Sequence, residues 1–105
     1  MKIKSGVTKV TSSGTAVQLR AKDEIVIRIY LSVPVGNTGS VYFGDSTVEG
    51  SGTVSGLELA KPTATDKDPV HLEFSRDGLG GAIFKDLYVD AANNNDNLHW
   101  LAVIQ

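Results

Sequence analysis

The stretch Ile25–Val26–Ile27–Arg28–Ile29–Tyr30–Leu31 decides how this chain folds. Ile25, Ile27, Ile29 and Leu31 fall on one face of an extended backbone, and Val26, Arg28 and Tyr30 on the other, which is the period of a half-buried strand. The same period recurs in Val70–His71–Leu72–Glu73–Phe74, with Val70, Leu72 and Phe74 turned inward and His71 and Glu73 outward. Leu98–His99–Trp100–Leu101–Ala102–Val103–Ile104 is apolar on both faces, as in a strand covered on both sides or lying at a subunit contact. Weaker extended segments are Val7–Thr11, Ala16–Arg20, Ser40–Phe43, Gly56–Leu59 and Ile83–Asp90, bringing the total to about eight.

Between these segments stand Ser12–Ser13–Gly14, Lys22–Asp23, Gly36–Asn37–Thr38–Gly39, Gly50–Ser51–Gly52, Asp77–Gly78 and Asn93–Asn94–Asn95–Asp96. Such residues tolerate positive φ or bond their own backbone, as tight reversals require. Short strands joined by such turns pair antiparallel, and about eight of them cannot bury their apolar faces in one flat sheet. The expectation is an all-β fold, an antiparallel β-sandwich of about eight strands, with the jelly roll among its forms. The polar, Pro-bounded segment Lys61–Pro69 reads as a mobile surface loop. Residues 1–6 read as an N-terminal arm without a fixed neighbour, ahead of a single domain over 7–105.

At 105 residues the chain is the size of one domain, and its composition, 41% apolar and 21% charged, is that of a globular protein. A net charge of −2 with scattered Lys and Arg offers no basic surface for nucleic acid. No run approaches the about 20 apolar residues of a membrane helix, and the first residues lack the apolar stretch of a secretory signal, so the expected product is cytoplasmic and not secreted. With no cysteine, disulfides, thiol catalysis and Cys-type zinc sites are excluded.

Catalysis needs a nucleophile, a base and oxyanion donors brought together, and the residues supply little toward it. His71 and His99 stand on outward or partner-facing strand positions and belong to no metal spacing. Asp45, Glu49, Asp66, Asp68, Asp77 and Asp86 fall in or beside turns, where Asp bonds the backbone. Gly78–Leu79–Gly80–Gly81 lacks the spacing of a phosphate loop and reads as a hairpin turn with a bulge. Asp90–Ala91–Ala92–Asn93–Asn94–Asn95–Asp96 carries hard oxygen ligands but neither EF-hand spacing nor a closing Glu, so it reads as a turn. The expectation is no catalytic residue, no metal and no cofactor. Among the aromatics, Phe74 and one of the neighbours Tyr42 and Phe43 belong to the core, and Trp100 plugs the sandwich in preference to anchoring a neighbouring subunit.

One block carries a resemblance. Val41–Tyr42–Phe43–Gly44–Asp45–Ser46–Thr47–Val48, then Gly56–Leu57–Glu58–Leu59, then Asp86–Leu87–Tyr88–Val89–Asp90–Ala91 and a closing apolar strand, with Val10 to Leu19 at the opening, resembles small β-rich virion proteins of tailed bacteriophages. The resemblance implies a structural protein of the virion: a head decoration or cement protein that binds the major capsid protein or another virion protein, or else a tail, baseplate or fibre domain that recognises host glycans. It implies an oligomer, with a homotrimer expected at a local three-fold axis of a shell. The candidate contacts are Lys2, Ile3 and Lys4 of the arm and His99, Leu101 and Val103 of the last strand. A small glycosidase on the same scaffold stands third, and paired carboxylates in a common cleft would be its mark.

Overall fold

The computed structural model describes residues 2–62, 69–75 and 80–105. In chain order the strands are β1 (Lys2–Val10), β2 (Val17–Gln18), β3 (Ile25–Ser32), β4 (Val41–Gly44), β5 (Leu57–Leu59), β6 (Val70–Glu73), β7 (Ala82–Ile83), β8 (Tyr88–Ala91) and β9 (Asp96–Ile104), with one 3₁₀ turn, Phe84–Asp86, between β7 and β8. The expectations for residues 63–68 of the Pro-bounded loop, with Asp66 and Asp68, and for Asp77, Gly78 and Leu79 lie outside the described residues.

The pairing is nested: β1 with β9, β2 with β8, β3 with β6 and β7, β4 with β5, all antiparallel. A chain paired in this way is one long ribbon doubled back on itself, with its tip between β4 and β5. The ribbon curls so that β9 also pairs with β3 and β8 with β4. The first sheet therefore runs β1-β9-β3-β6, with β7 beside β3, and the second runs β2-β8-β4-β5. With β6 and β7 counted as one interrupted strand, this is the eight-strand jelly-roll order, and the sheets pack face to face as a sandwich.

Two local expectations change. Instead of an unattached arm over 1–6, β1 pairs with β9 in unbroken register from Lys2–Ile104 to Val10–Asp96. On either side of the segment Gly78–Gly81, read as a hairpin turn, β6 and β7 are both antiparallel to β3 along its edge opposite β9, so these two flanking strands run in the same direction and do not pair with each other. In β3 the register with β9 shifts between Val26 and Arg28. A bulge there reverses which side chains face inward: Val26, Ile29 and Leu31 are buried, while Ile25 and Ile27 are only partly so.

The core between the sheets is built from Val10, Ile29, Leu31, Leu98 and Ile104 on one side and Val41, Phe43, Val89 and Ala91 on the other. Phe84, carried by the 3₁₀ turn, meets Trp100 edge to face, with ring centroids 5.0 Å apart. Burying each large aliphatic or aromatic side chain stabilises the fold by roughly 1.5–3 kcal/mol. Trp100 is a core plug whose polar end is satisfied: its indole N–H donates to Thr8 Oγ1 at 3.0 Å, and the Thr8 hydroxyl donates on to the Leu19 carbonyl at 3.3 Å. Its ring crosses its register partner Gly6 so closely that a Cβ there would stand 2.6 Å from the indole. Tyr42 and Phe43 are both buried, where alternation alone placed one of them inside.

Candidate interaction surface

The outer faces of the two sheets differ. On the second sheet, Val89 and Ala91 point into the core, so Tyr88 and Asp90 point outward, and Asp90 stands opposite Tyr42 in register. Yet Asp90 and Tyr42 are buried, because two loops fold over them. Asp90 holds those loops: its carboxylate accepts the amide hydrogens of Gly14 at 3.1 Å, Gly50 at 2.9 Å and Ala91 at 2.8 Å. The Ser13 hydroxyl adds a hydrogen bond to the Ala91 carbonyl at 2.7 Å.

At the other end of the Asn-rich segment, buried Asp96 accepts from the Thr38 amide at 2.9 Å, the Thr38 hydroxyl at 3.2 Å and the Gly39 amide at 3.0 Å. Asn37 pairs reciprocally with the Asn97 backbone, donating at 2.8 Å and accepting at 3.0 Å. The oxygen-rich segment from Asp90 to Asp96 is thus a brace for neighbouring loops. Among the described residues no three His, Asp or Glu side chains form a group able to hold a metal ion. Sequence reasoning missed the role of Asp90 and Asp96, and the signal for Asp90 was present: an Asp in phase within Tyr88–Ala91 sits on a strand, not in a turn.

Other carboxylates serve their own turns. The Thr47 hydroxyl and amide donate to Asp45 at 2.5 and 2.9 Å, and the hydroxyl first, then the amide, hold its pKa below the ordinary aspartate range. The Ser51 amide, followed by its hydroxyl and the Gly52 amide, does the same for Glu49. Asp45 and Asp86 border one shallow hollow with Ser46 and Tyr88. Both are exposed to solvent.

Among the described residues the outer face of the first sheet carries no such cover. Register sets its side chains in rows across the strands. One row runs Ile3, Val103, Arg28, Glu73; the next runs Ser5, Leu101, Tyr30, His71; the third runs Val7, His99, Ser32. On the β3–β6 half, polar pairs close the rows. Arg28 is 2.9 Å from Glu73, and Tyr30 stacks on His71 with centroids 4.9 Å apart. A hydrogen bond with Tyr30, then those to Glu73, push the Arg28 guanidinium further up. On the β1–β9 half no described residue covers the apolar side chains, and Ile3 and Val7 are 68% and 59% exposed.

Of the six candidate contact residues, Ile3, His99, Leu101 and Val103 share this face. Lys2 and Lys4, one position out of phase, turn to the opposite side of β1, where the charge of Lys4 acts on Glu24. Glu24 lies below its ordinary range chiefly through its hydrogen bond from Arg20, at 2.7 Å. Val7, Tyr30 and His71 complete the face, and Val7 was legible in the sequence from its phase with Ile3. Compared with protein-family models, with curated proteins and with solved structures, the chain has no match.

Proposed function

We propose that this chain is a non-enzymatic structural protein of a tailed-phage virion, a head decoration or cement protein that docks on the capsid through the β1–β9 half of its first sheet. The observation that carries the docking surface is the asymmetry of the sandwich: loops clasped by Asp90 cover the outer side of the second sheet, while among the described residues Ile3, Val7 and Leu101 stand exposed on the first beside half-buried Val103. Apolar side chains grouped on one rigid face and rimmed by polar pairs suit a protein partner. Support for the virion as the setting is the resemblance carried by Val41–Val48, Gly56–Leu59 and Asp86–Ala91. A protein that binds only the assembled shell stabilises it by its binding free energy, through mass action.

Capsids prepared without this protein and mixed with the purified chain provide the test. The chain is expected to co-sediment with the shells, and Leu101→Glu with Val103→Glu to abolish co-sedimentation while circular dichroism stays unchanged. Failure of the unaltered chain to co-sediment removes the proposal.

One observation favours a second reading, a tail, baseplate or fibre domain that binds host glycans. The stacked Tyr30–His71 pair offers a flat aromatic surface, and Tyr30 borders a shallow hollow with Ser32, Pro69, His99 and Leu101. Sugars stack on such surfaces. A glycan array on which Tyr30→Ala erases a positive signal supports it, and an array negative throughout removes it.

A further inference from the structure

Among the described residues the sheet edges are unequal. β2 has two residues, β5 three, and the interrupted β6 and β7 four and two, whereas β1 is an outermost strand of nine. Short edges are a standard protection against pairing with another chain, and a long one is a template for it.

The direction of the free hydrogen-bonding groups follows from one contact. The Asn95 amide donates to the Val10 carbonyl at 2.8 Å, with Asn95 at φ 67°, the geometry of a bulge opposite Val10. Val10 therefore bonds toward β9. By alternation the even residues of β1 bond inward to β9, while Ile3, Ser5 and Val7 turn their amides and carbonyls to the free edge.

We infer that β1 pairs antiparallel with β1 of a second copy about a twofold axis at Ser5, making one continuous sheet of the two first sheets. The chemistry of the strand selects both partner and register. A twofold at Ile3 would set Lys2 against Lys4, and one at Lys4 would set Lys4 against itself; like charges directly opposite are destabilising. At Gly6, Ile3 would face Lys9; at Val7, Ser5 would face Lys9 and Ile3 would pass beyond the strand. The axis at Ser5 alone places Ile3 opposite the partner's Val7, and Val7 opposite the partner's Ile3. These are the two most exposed large apolar side chains described.

In the same register Lys2 faces the partner's Thr8, and Lys4 faces the partner's Gly6, so that neither lysine meets a like charge. The edge lysines thus exclude wrong registers and permit this one. The odd pairs are those whose free amides and carbonyls meet. The pairing also makes the apolar halves of the two outer faces contiguous. It replaces the three-fold ring expected from shell symmetry with a twofold, isologous contact, and it does not depend on the virion reading.

The chain has no cysteine, so Ser5→Cys adds a single thiol. Hydrogen-bonded antiparallel partners lie about 5.5 Å apart at Cα, within disulfide range. Sedimentation equilibrium of the unaltered chain is expected to give twice its mass of 11.1 kDa. Mild oxidation is expected to convert Ser5→Cys almost wholly to a covalent dimer and to leave Val7→Cys uncoupled, while a mixture of Ile3→Cys and Val7→Cys cross-links. Ser5→Pro removes only an amide that faces the free edge, so it is expected to give the single-chain mass with the same circular dichroism. A single-chain or trimeric mass for the unaltered protein overturns the inference. So does a dimer in which Ser5→Cys fails to couple.

Discussion

Asp90 and Gly50, forty residues apart in the chain, meet where Oδ2 of the buried carboxylate accepts the Gly50 amide hydrogen at 2.9 Å. Through Gly14 and its own neighbour Ala91 the same carboxylate holds two more amides. Hydrogen bonds to a charged group contribute more than neutral ones, and their loss leaves buried donors unpaired. Asp90→Ala is therefore expected to destabilise the fold by about 3 kcal/mol, and Asp90→Asn by less, because it keeps one acceptor oxygen. Urea unfolding followed by circular dichroism measures both. Equal stability of Asp90→Ala and the unaltered protein would show that the clasp contributes nothing.

Gly6 and Trp100 allow a sharper test of packing. A methyl group at Gly6 would stand 2.6 Å from the indole, and the ring is fixed by Thr8 on one side and Phe84 on the other. Gly6→Ala is expected to cost roughly 1–3 kcal/mol, the range for overpacking. The chain has one tryptophan, so a shift in its fluorescence reports displacement of the ring directly. An unshifted spectrum with unchanged stability counts against this packing.

Much of the architecture was legible because the strands alternate. β9 keeps a strict period of two from Asp96 to Ile104, buried at every even position, and its register carries β1 and β3 on either side. The phase of β3 was not legible, since the bulge after Val26 comes from its pairing with β9, and no run of Ile and Val announces a bulge. The first six residues read as an arm because Lys2, Lys4 and Ser5 resemble a solvated terminus. Their partner lies some hundred residues away, at Ile104 and Ala102, beyond the reach of local patterning. At the candidate surface, His99, Leu101 and Val103 share one phase of the last strand, whereas Val7 was not joined to Ile3, because residues 1–6 read as an arm. That these belong to one face required the β1–β9 register.

Acid is expected to loosen the turn over Gly50–Gly52. Glu49 accepts from the amides of Ser51 and Gly52 and from the Ser51 hydroxyl, and these bonds hold its pKa below the ordinary glutamate value. A folded-state pKa lowered in this way contributes stability that is present above the unfolded value and is lost as the pH falls through the folded one. Glu49→Gln removes the titration. From pH 7 down to about pH 3, the melting temperature of the unaltered chain should fall more steeply than that of Glu49→Gln. Parallel curves would contradict the assignment.

Leu98 and Leu101 stand on the same strand and face opposite ways. Leu98 is fully buried and Leu101 is 39% exposed. Removing Leu98 leaves a cavity between the sheets, and Leu98→Ala is expected to cost about 2–5 kcal/mol. Leu101→Ser opens no cavity and is expected to change stability by no more than about 1 kcal/mol, because its neighbours across the strands, Ser5 and Tyr30, already meet solvent. The contrast separates two uses of an apolar residue. One that folding requires reports itself in the unfolding midpoint, whereas one that folding does not require leaves the midpoint nearly unchanged and reports itself in partner binding. Were Leu101→Ser to destabilise as much as Leu98→Ala, the outer face of β9 would belong to the core and could not be a docking surface. Unfolding midpoints for both variants, measured beside capsid co-sedimentation of Leu101→Ser, assign each leucine to its use.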